Sequence, residues 1–361
     1  MKILRFSWRD FRNLRAGEIV PDPEANVIYG DNAQGKTNLL EGMWLFTGER
    51  SFRRAKDAEL VRRDCESAAL SLAFYADGRE QSAKITIAGG RRAAELNGIK
   101  KRSCSALIGE FRAAVFSPEH LALLSGGPAG RRNFIDAALC QTKPSFAALV
   151  LEYSRALAQR NALLKDIPRC ADLLDTLDVW DARLSRAGEK IMAQREQYLA
   201  GLSPRAAEFY GGMCGGRETL ALRYEKSAVS FAEALRGSRR DDILSGHTGV
   251  GPHRDDISVE ISGLDARAYG SQGQKRSAVI AMKLAEAGLL EHVSGEAPVI
   301  FLDDVLSELD GERRDYLLNR LERFQVFITC CEPDFSGACA RGAVFHVKNG
   351  EPASRGAGAP E

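Results

Sequence analysis

The chain has 361 residues, of which 44% are hydrophobic, and it carries 50 Lys and Arg against 49 Asp and Glu. This length favours two domains with ordinary cores. No apolar run reaches the length of a membrane-spanning helix, arginines interrupt the N-terminal stretch where a signal peptide would need apolar residues, and the eight cysteines contain no C-x-x-C pair. These features argue against a membrane protein, a zinc site and a disulfide framework.

The first half of a nucleotide site lies near the N-terminus. A β-prone run at 27–29 and a helical apolar pattern over 38–45 flank a stretch that fits G-x-x-x-x-G-K-[ST], the context of a phosphate-binding loop. Backbone N–H groups would cradle phosphate oxygens there. Lys36 would reach the β- and γ-phosphates of ATP in a catalytic role, and the Thr37 hydroxyl would ligate Mg²⁺. The stretch consists of Gly30, Asp31, Asn32, Ala33, Gln34, Gly35, Lys36 and Thr37.

The middle of the chain predicts a strand pair and then a helical arm. Residues 68–75 and 83–88 alternate as strands around an Asp-Gly turn. Two runs with helical spacing, 146–164 and 173–202, predict an antiparallel helical hairpin of roughly 30–45 Å, and 218–224 predicts a strand that returns the chain to the head. The stretch 124–128 looks like a transporter signature, but it lies far upstream of the paired aspartates. We therefore interpret it, together with the basic segment 129–132, as a loop.

The second half of the nucleotide site lies near the C-terminus. The apolar run 299–302 predicts a strand buried on both faces, and it ends in Asp303 and Asp304. Asp303 stands where Mg²⁺ needs a carboxylate. Asp304 could polarise the attacking water as a catalytic residue, or could accept hydrogen bonds from the waters on the metal. Residues 275–291 predict a helix whose N-terminal end would bind anions.

Basic residues are concentrated in the first part of the chain. Residues 1–150 hold 23 Lys and Arg against 17 Asp and Glu, whereas the remainder holds 27 against 32. Such clusters give sequence-independent, salt-sensitive affinity for DNA, although each cluster taken alone could be a solvated face. No stacking platform of interleaved aromatics is visible, which favours the duplex backbone over single strands. The clusters are Arg50, Arg53, Arg54 and Lys56; Arg62 and Arg63; Arg91 and Arg92; Lys100, Lys101 and Arg102; and Arg131 and Arg132.

Two C-terminal stretches resemble motifs of the ABC-type ATPases. Ser-Gln-Gly-Gln-Lys at 271–275 is similar to the signature, and Ser-Glu-Leu-Asp at 307–310 is similar to the D-loop. The resemblance implies that Ser271 and Gly273, with Gln274, contact the γ-phosphate held by a second subunit. Two ATP molecules would then lie between the subunits of a head-to-tail dimer. The alternative is that 271–274 only caps a helix.

Four further stretches resemble the RecF family of recombination-mediator ATPases. They are 11–14, 51–53, the G-R-R-N-F-I-D stretch 130–136 and the G-V-G-P-H-R-D-D stretch 249–256. The resemblance implies a cytoplasmic, nucleoid-associated protein that dimerises on ATP and binds duplex DNA near single-strand gaps, sequence-independently. It also implies work with the RecR and RecO mediators that helps RecA. Asn32 would contact the phosphates, and Arg12 would lie near the nucleotide or stand as a surface arginine.

Two positions depart from the family pattern. Ala33 stands where many family members have glycine, and a positive φ there would be strained. Thr329 follows the strand 326–328 where ABC ATPases usually carry a switch histidine. A threonine is not a charged sensor of the γ-phosphate, so we expect slow hydrolysis. With the family resemblance, this implies a weak, DNA-stimulated ATPase.

These patterns predict an α/β fold, an ABC-type ATPase head of the P-loop class with an inserted α-helical arm. We expect residues 1–115 and 245–348 to form the two lobes of the head, 116–244 the arm and 349–361 a frayed tail. Three alternatives stay open: a Rad50-like head serving a nuclease, a transporter subunit, and a nucleotide-gated scaffold that does not hydrolyse ATP. The first lacks its C-x-x-C hook here, the second lacks L-S-G-G-Q at 271–275, and the third would not need Asp304.

Overall fold

The computed structural model describes residues 1–121, 123–331 and 342–355. The strands are β1 (Lys2–Phe11), β2 (Leu14–Ile19), β3 (Ala25–Tyr29), β4 (Ser67–Ala76), β5 (Arg79–Ala88), β6 (Arg91–Leu96), β7 (Ile99–Lys101), β8 (Ala113–Phe116), β9 (Leu220–Glu225), β10 (Asp256–Ile261), β11 (Leu264–Asp265), β12 (Val299–Asp303), β13 (Val326–Cys330), β14 (Ala343–Lys348) and β15 (Glu351–Arg355). The α-helices are α1 (Lys36–Trp44), α2 (Pro118–Leu121), α3 (Pro128–Thr142), α4 (Pro144–Asp166), α5 (Leu174–Met213), α6 (Phe231–Gly237), α7 (Arg239–Ser245), α8 (Ala266–Tyr269), α9 (Gln272–Ser294) and α10 (Gly311–Leu321). Short 3₁₀ turns cover Leu45–Thr47, Asp57–Leu60, Cys104–Leu107, Ala171–Leu173 and Leu306–Glu308.

An antiparallel sheet forms the first layer of the head, in the order β2-β1-β4-β5-β6-β7. Its strands alternate between buried and exposed residues, since one face packs on the core and the other faces solvent. The predicted pair 68–75 and 83–88 is confirmed as β4 and β5, joined at Asp77 and Gly78, which both have positive φ.

A second sheet carries the nucleotide site, in the order β15-β14-β3-β13-β12-β8. All of its neighbours are parallel except β14 and β15. Strand β12 is buried along its whole length, as predicted. Phe301 faces the core shared with the antiparallel sheet and α1, whereas Ile300 and Leu302 face a second core under α9 and α10. Only β13 separates β3 from β12, and all three strands are parallel. The sheet therefore brings the N-terminal and C-terminal halves of the site together at the carboxyl ends of these strands.

The predicted helical hairpin is confirmed as α4 and α5. Helix α5 has 40 residues and continues past Pro204 to Met213, so it is longer than the sequence pattern indicated and spans about 60 Å at helical rise. The loop predicted over 129–132 is wrong: Pro128 opens α3, which begins with Gly127 as its N-cap. Proline is common at the first position of a helix, because the N–H that it lacks would have no partner within the helix there. Gly127 and Pro128 therefore mark a helix start, although the same residues are typical of loops.

Two boundaries of the predicted domains look different in the structure. Strand β9, from the predicted arm, pairs antiparallel with β10, from the predicted second lobe, so one small sheet crosses residue 245. The frayed tail predicted from 349 is wrong for residues 349–355, because β15 pairs with β14 there. The remainder of that tail, 356–361, lies outside the described residues. The two-lobe division itself stays a prediction.

The stretches 130–136 and 249–256 contact each other in the structure. Arg131, almost fully buried on α3, forms a bidentate pair with Asp256, with N–O distances of 2.8 and 2.9 Å. Arg132 donates to the carbonyl of Asp255 at 2.7 Å. These bonds lock the start of α3 to the start of β10.

A third arginine connects the same two stretches to the arm. Arg195 on α5 forms two hydrogen bonds of 2.8 Å with the carboxylate of Asp136, and it donates to the carbonyl of Pro252 at 2.6 Å. Gly251 has φ of 122°, and a Cβ there would lie 2.6 Å from the Phe231 ring. The backbone of this loop therefore requires glycine.

Candidate nucleotide site

The loop between β3 and α1 has the backbone of a phosphate cradle. Gly30 and Gly35 have φ of 151° and 112°, and a Cβ on Gly30 would lie 2.3 Å from the carbonyl oxygen of Val347. Ala33 adopts φ of 64°, so the strain predicted for this position is present. A left-handed alanine costs about 1–2 kcal/mol more than glycine would.

The Lys36 ammonium lies inside this loop. Its side chain is nearly buried, and Nζ donates to the carbonyls of Gly30 and Asp31, the latter at 2.9 Å. Asn32 stands at the rim, where its Oδ1 accepts a hydrogen bond from the Cys331 thiol at 3.2 Å. The loop thus holds one cation at its centre with an amide beside it.

A hydrogen bond joins the two halves of the site. Thr37 Oγ1 donates to Asp303 Oδ1 at 2.8 Å, across 266 residues of sequence. Thr329 donates to the same oxygen at 2.9 Å and accepts from the Asp304 N–H at 2.9 Å. Burial raises the pKa of Asp303, and the hydrogen bonds from Thr37 and Thr329 oppose this shift. Sequence reasoning noted Thr329 only as a missing histidine, whereas the structure shows it holding both aspartates.

Asp304 occupies a special backbone position at the end of β12. Its φ is 53°, a left-handed conformation that is strained in a non-glycine residue, although aspartate tolerates it better than most residues. The Ser307 hydroxyl lies 2.9 Å from the Asp304 carbonyl and 3.3 Å from its carboxylate. The serine of the predicted D-loop therefore lies beside the predicted catalytic carboxylate.

The residues at this edge suit Mg²⁺. Thr37 supplies a hydroxyl and Asp303 a buried carboxylate, both hard oxygen ligands, in direct contact with each other. Among the described residues no group of three or more His, Cys, Asp and Glu side chains could hold a metal. Two protein oxygens match the way Mg²⁺ binds beside a nucleotide, where waters and phosphate oxygens complete the octahedron.

Arg12 is attached to the P-loop helix. Its guanidinium forms two hydrogen bonds of 2.8 Å with the carboxylate of Glu41, which is fully buried on α1. The next residue, Asn13, donates to the Ala33 carbonyl at 3.2 Å and accepts from Asn38 at 2.7 Å. The turn between β1 and β2 thus braces the P-loop. All three guanidinium nitrogens of Arg12 donate a hydrogen bond to protein, to Glu41 or to the Glu59 carbonyl. The closeness of Arg12 to the nucleotide stays a prediction.

The turn between β14 and β15 also braces the P-loop, which the sequence reading missed. The Gly350 N–H donates to the Gln34 carbonyl at 3.0 Å, and the Asn349 N–H donates to the Gln34 side chain at 2.6 Å. A Cβ on Gly350 would lie 2.5 Å from the Asn13 carbonyl oxygen. The Asn-Gly dipeptide between two strands is a hairpin signal that could have revealed this turn.

Two charged side chains near the site were also missed. Arg53, assigned only to a basic cluster, donates to Asn38 at 3.0 Å. Its positive charge lowers the pKa of Asp303, while Glu119, which follows β8, acts in the opposite direction; both effects are smaller than that of burial. Because β8 and β12 are parallel neighbours, their carboxyl ends meet at the same edge.

Ser271 caps helix α9, as the sequence indicated. Its Oγ accepts from the Gln274 N–H at 3.2 Å, and the Gln274 side chain accepts from the Ser271 N–H at 2.8 Å. Gln274 also donates to Glu218 at 2.7 Å, so its amide is engaged within the protein. Ser271 is exposed, and within the described residues no hydrogen bond joins 271–274, including Gly273, to the P-loop of the same chain.

The basic clusters divide into paired and unpaired residues. Arg62 pairs with Asp10, Arg92 with Asp57, and Arg131 with Asp256. These three arginines form ion pairs within the fold. Each of these clusters therefore contains at least one residue with a structural partner, and the cluster as a whole is neither a purely solvated face nor a purely DNA-facing one.

The parallel sheet, the P-loop and the carboxylate at the end of the neighbouring strand define an ATPase head of the ABC and SMC type. The family model "RecF/RecN/SMC N terminal domain" matches residues 2–351. A relative named DNA replication and repair protein RecF, from Agathobacter rectalis, is 39% identical over 347 residues, covering 95% of this chain and 96% of the relative. A protein of the same name from Acetivibrio thermocellus is 36% identical over 349 residues, covering 92% and 94%.

Solved structures give the same result. A structure titled as the recombination mediator protein RecF with ATP in the RecFOR pathway has a TM-score of 0.92 at 34% identity, covering 98% of this chain and 97% of that chain. An Smc head domain from Pyrococcus furiosus, at 14% identity and a TM-score of 0.56, covers 98% and 96% and shares the fold alone. The chain belongs to the RecF family of DNA replication and repair proteins. No helix in the described part of the chain is long and apolar enough to cross a membrane.

Proposed function

We propose that this chain is an ATP-dependent DNA-binding protein of recombinational repair. It binds duplex DNA near single-strand gaps, works with RecR and RecO mediators, and helps to load RecA. The observation that carries the nucleotide part is the 2.8 Å hydrogen bond between Thr37 and Asp303, because it assembles a P-loop and a metal carboxylate from opposite ends of the chain. The family relatives and their printed names support the repair role.

ATP binds in the loop 30–37, where Lys36 and the N-terminal end of α1 compensate phosphate charge. Thr37 and Asp303 would hold Mg²⁺, which would neutralise charge at the phosphates. Thr329 fixes Asp303 by its hydroxyl and Asp304 by its backbone. Asp304 orients and polarises the attacking water, and hydrolysis is slow because Thr329 occupies the position of a charged sensor.

A homodimer forms when ATP is bound. Ser271 is exposed, sits at the N-terminal end of a 23-residue helix and makes no hydrogen bond to the P-loop of its own chain within the described residues. A helix end of this kind favours an anion. The γ-phosphate on a second copy supplies one, so ATP joins the subunits and hydrolysis separates them.

Sedimentation tests this proposal with wild type and two variants. Wild type is expected to be monomeric without nucleotide and dimeric with ATP and Mg²⁺, and then to co-sediment with gapped duplex DNA in a salt-sensitive way. Lys36→Met should lose ATP binding because phosphate charge is left uncompensated. Ser271→Arg should keep ATP binding and lose the dimer. An ATP-dependent dimer of Ser271→Arg would disprove the head-to-tail arrangement.

The role of Asp304 separates a release switch from a scaffold that does not hydrolyse ATP. Asp304→Asn keeps the size of the side chain and removes its charge. It should bind ATP and DNA normally and stay on DNA longer than wild type. Dissociation as fast as that of wild type in the presence of ATP would show that hydrolysis does not drive release.

A further inference from the structure

Three segments of the head, 48–60, 88–92 and 101–105, converge at one arginine. Arg92 at the start of β6 donates to the Glu49 carbonyl at 2.8 Å and pairs with Asp57 at 2.9 Å. Its side chain is about 10% exposed, so this ion pair is largely shielded from water. The joint fastens the β5–β6 hairpin to the loop that follows the P-loop helix.

The third segment packs against the same place. A Cβ on Gly48 would lie 3.0 Å from the carbonyl oxygen of Cys104, so the backbones of 48 and 104 touch. Lys101 pairs with Ala94 in the β6–β7 ladder. We call the surface formed by the three segments the basic edge.

The basic edge carries more cations than the ion pairs of the described residues use. Within the described residues, the side chains of six basic residues in these segments make no hydrogen bond or ion pair. Five are exposed and the sixth, Lys101, is half-buried. They are Arg50, Arg54, Lys56, Arg91, Lys101 and Arg102.

The carboxylates of the same segments do not balance these charges. Asp57 is neutralised by Arg92. Glu59 keeps its negative charge, because the hydrogen bond that it accepts at 2.9 Å comes from the backbone N–H of Lys56, but it is one carboxylate among many cations. Glu49 is largely buried, and burial raises its pKa to about 7, so it carries only part of a negative charge near neutral pH. The basic edge therefore has a surplus of positive charge held on a rigid joint.

We propose that the basic edge is where this protein contacts the phosphate backbone of duplex DNA, an inference that rests on the DNA binding proposed above. Unpaired arginines on three fixed segments match a row of phosphates, since guanidinium binds phosphate oxygens bidentately. The only aromatic residue of the segments, Phe52, is partly buried against the core, and its ring forms a T-shaped pair with that of Trp44 at a centroid distance of 6.3 Å. The surface is therefore suited to a backbone and not to stacking with single strands.

The test compares two triple variants of the full-length protein with ATP and Mg²⁺. The edge triple, R50Q/R91Q/R102Q, removes one charge from each segment. The control triple, R155Q/R186Q/K190Q, removes three exposed cations of the helical arm that have no ion pair in the described structure. Fluorescence anisotropy with a labelled duplex is measured over a KCl titration, and a fluorescent ATP analogue reports nucleotide binding in each variant.

We expect the edge triple to bind the duplex more than tenfold more weakly at low salt and to lower the slope of log K against log[KCl] by about 3. The control triple should keep the wild-type slope, and all three proteins should bind the ATP analogue alike. An edge triple with the wild-type slope and affinity would overturn the inference while leaving the proposed function standing. Failure of wild type itself to bind any duplex would overturn both. If the edge triple binds the duplex as wild type does but no longer binds a poly-glutamate peptide that wild type binds, the inference is overturned and the basic edge is a protein-docking surface.

Discussion

Replacing Asp136 by Asn should destabilise the protein more than the corresponding change in an exposed ion pair, because Asp136 joins α3 to Arg195 on α5. Asp136 is the sole carboxylate on Arg195 in the described structure, and it receives two hydrogen bonds of 2.8 Å from that guanidinium. The Arg195 side chain is only 6% exposed. Burial alone would lower the pKa of Arg195, but the Asp136 carboxylate more than offsets it, so the pKa lies above its ordinary value.

The size of the effect follows from this geometry. Asn keeps the shape of the side chain and one acceptor, but it leaves a buried guanidinium without a counter-charge. Breaking one partner of a buried pair costs about 3–5 kcal/mol. Because the Asp136 side chain is 18% exposed and water can reach it, we expect a loss of about 3 kcal/mol in the free energy of unfolding.

Urea unfolding followed by circular dichroism measures this loss. Glu260→Gln is the matched control, since Glu260 also pairs with an arginine, Arg223, at 3.1 Å, but that partner is 68% exposed. An exposed pair of this kind contributes less than about 1 kcal/mol. If Asp136→Asn and Glu260→Gln destabilise the protein equally, the reasoning from burial is wrong.

Three further predictions concern single sites. Thr329→Val removes the hydroxyl that holds both aspartates; steady-state ATPase assays should show loss of turnover with ATP binding retained, and unchanged turnover would contradict a positioning role. Gly251→Ala should cost about 3 kcal/mol or more in urea unfolding, because its Cβ meets an aromatic ring and its φ is 122°, whereas Gly288→Ala, with open space around the Cβ, should be neutral or slightly stabilising. Burial raises the pKa of Glu49 from 4.5 to about 7, so the free energy of unfolding of wild type falls as pH rises through this window. Urea unfolding should therefore show Glu49→Gln to be more stable than wild type by about 3 kcal/mol at pH 8 and equal to it near pH 4. A stability difference independent of pH would refute the assignment.

The parts of the candidate site could be located from the sequence because each part is a local pattern. A glycine loop between a strand and a helix, and an apolar run ending in two aspartates, are each readable within about ten residues. The residues that hold these parts in place are not local. Gln34 is braced by Gly350, and Asp303 is held by Thr329, contacts that only the order of strands in the sheet determines.

The errors have physical causes of the same kind. Residues 129–132 looked like a basic loop, but Arg131 is neutralised by Asp256 and sits inside a helix that starts at a proline. Residues 349–355 looked frayed because the segment from Pro352 to Glu361 is rich in glycine, alanine and proline, yet pairing with β14 orders residues 351–355. In both cases a partner distant in sequence decides the local structure, and composition carries no information about that partner.

The strand order of the parallel sheet delays its assembly during synthesis on the ribosome, because N-terminal strands lie beside C-terminal strands in it. Strand β3 lies between β13 and β14, and the turn at 349–350 closes over the P-loop. A nascent chain that has emerged only as far as the arm therefore exposes β3 with neither neighbour in place. Non-local parallel pairing of this kind is slow to form and leaves unpaired strand edges during elongation. The candidate nucleotide site is therefore incomplete until β13, β14 and the turn at 349–350 have emerged.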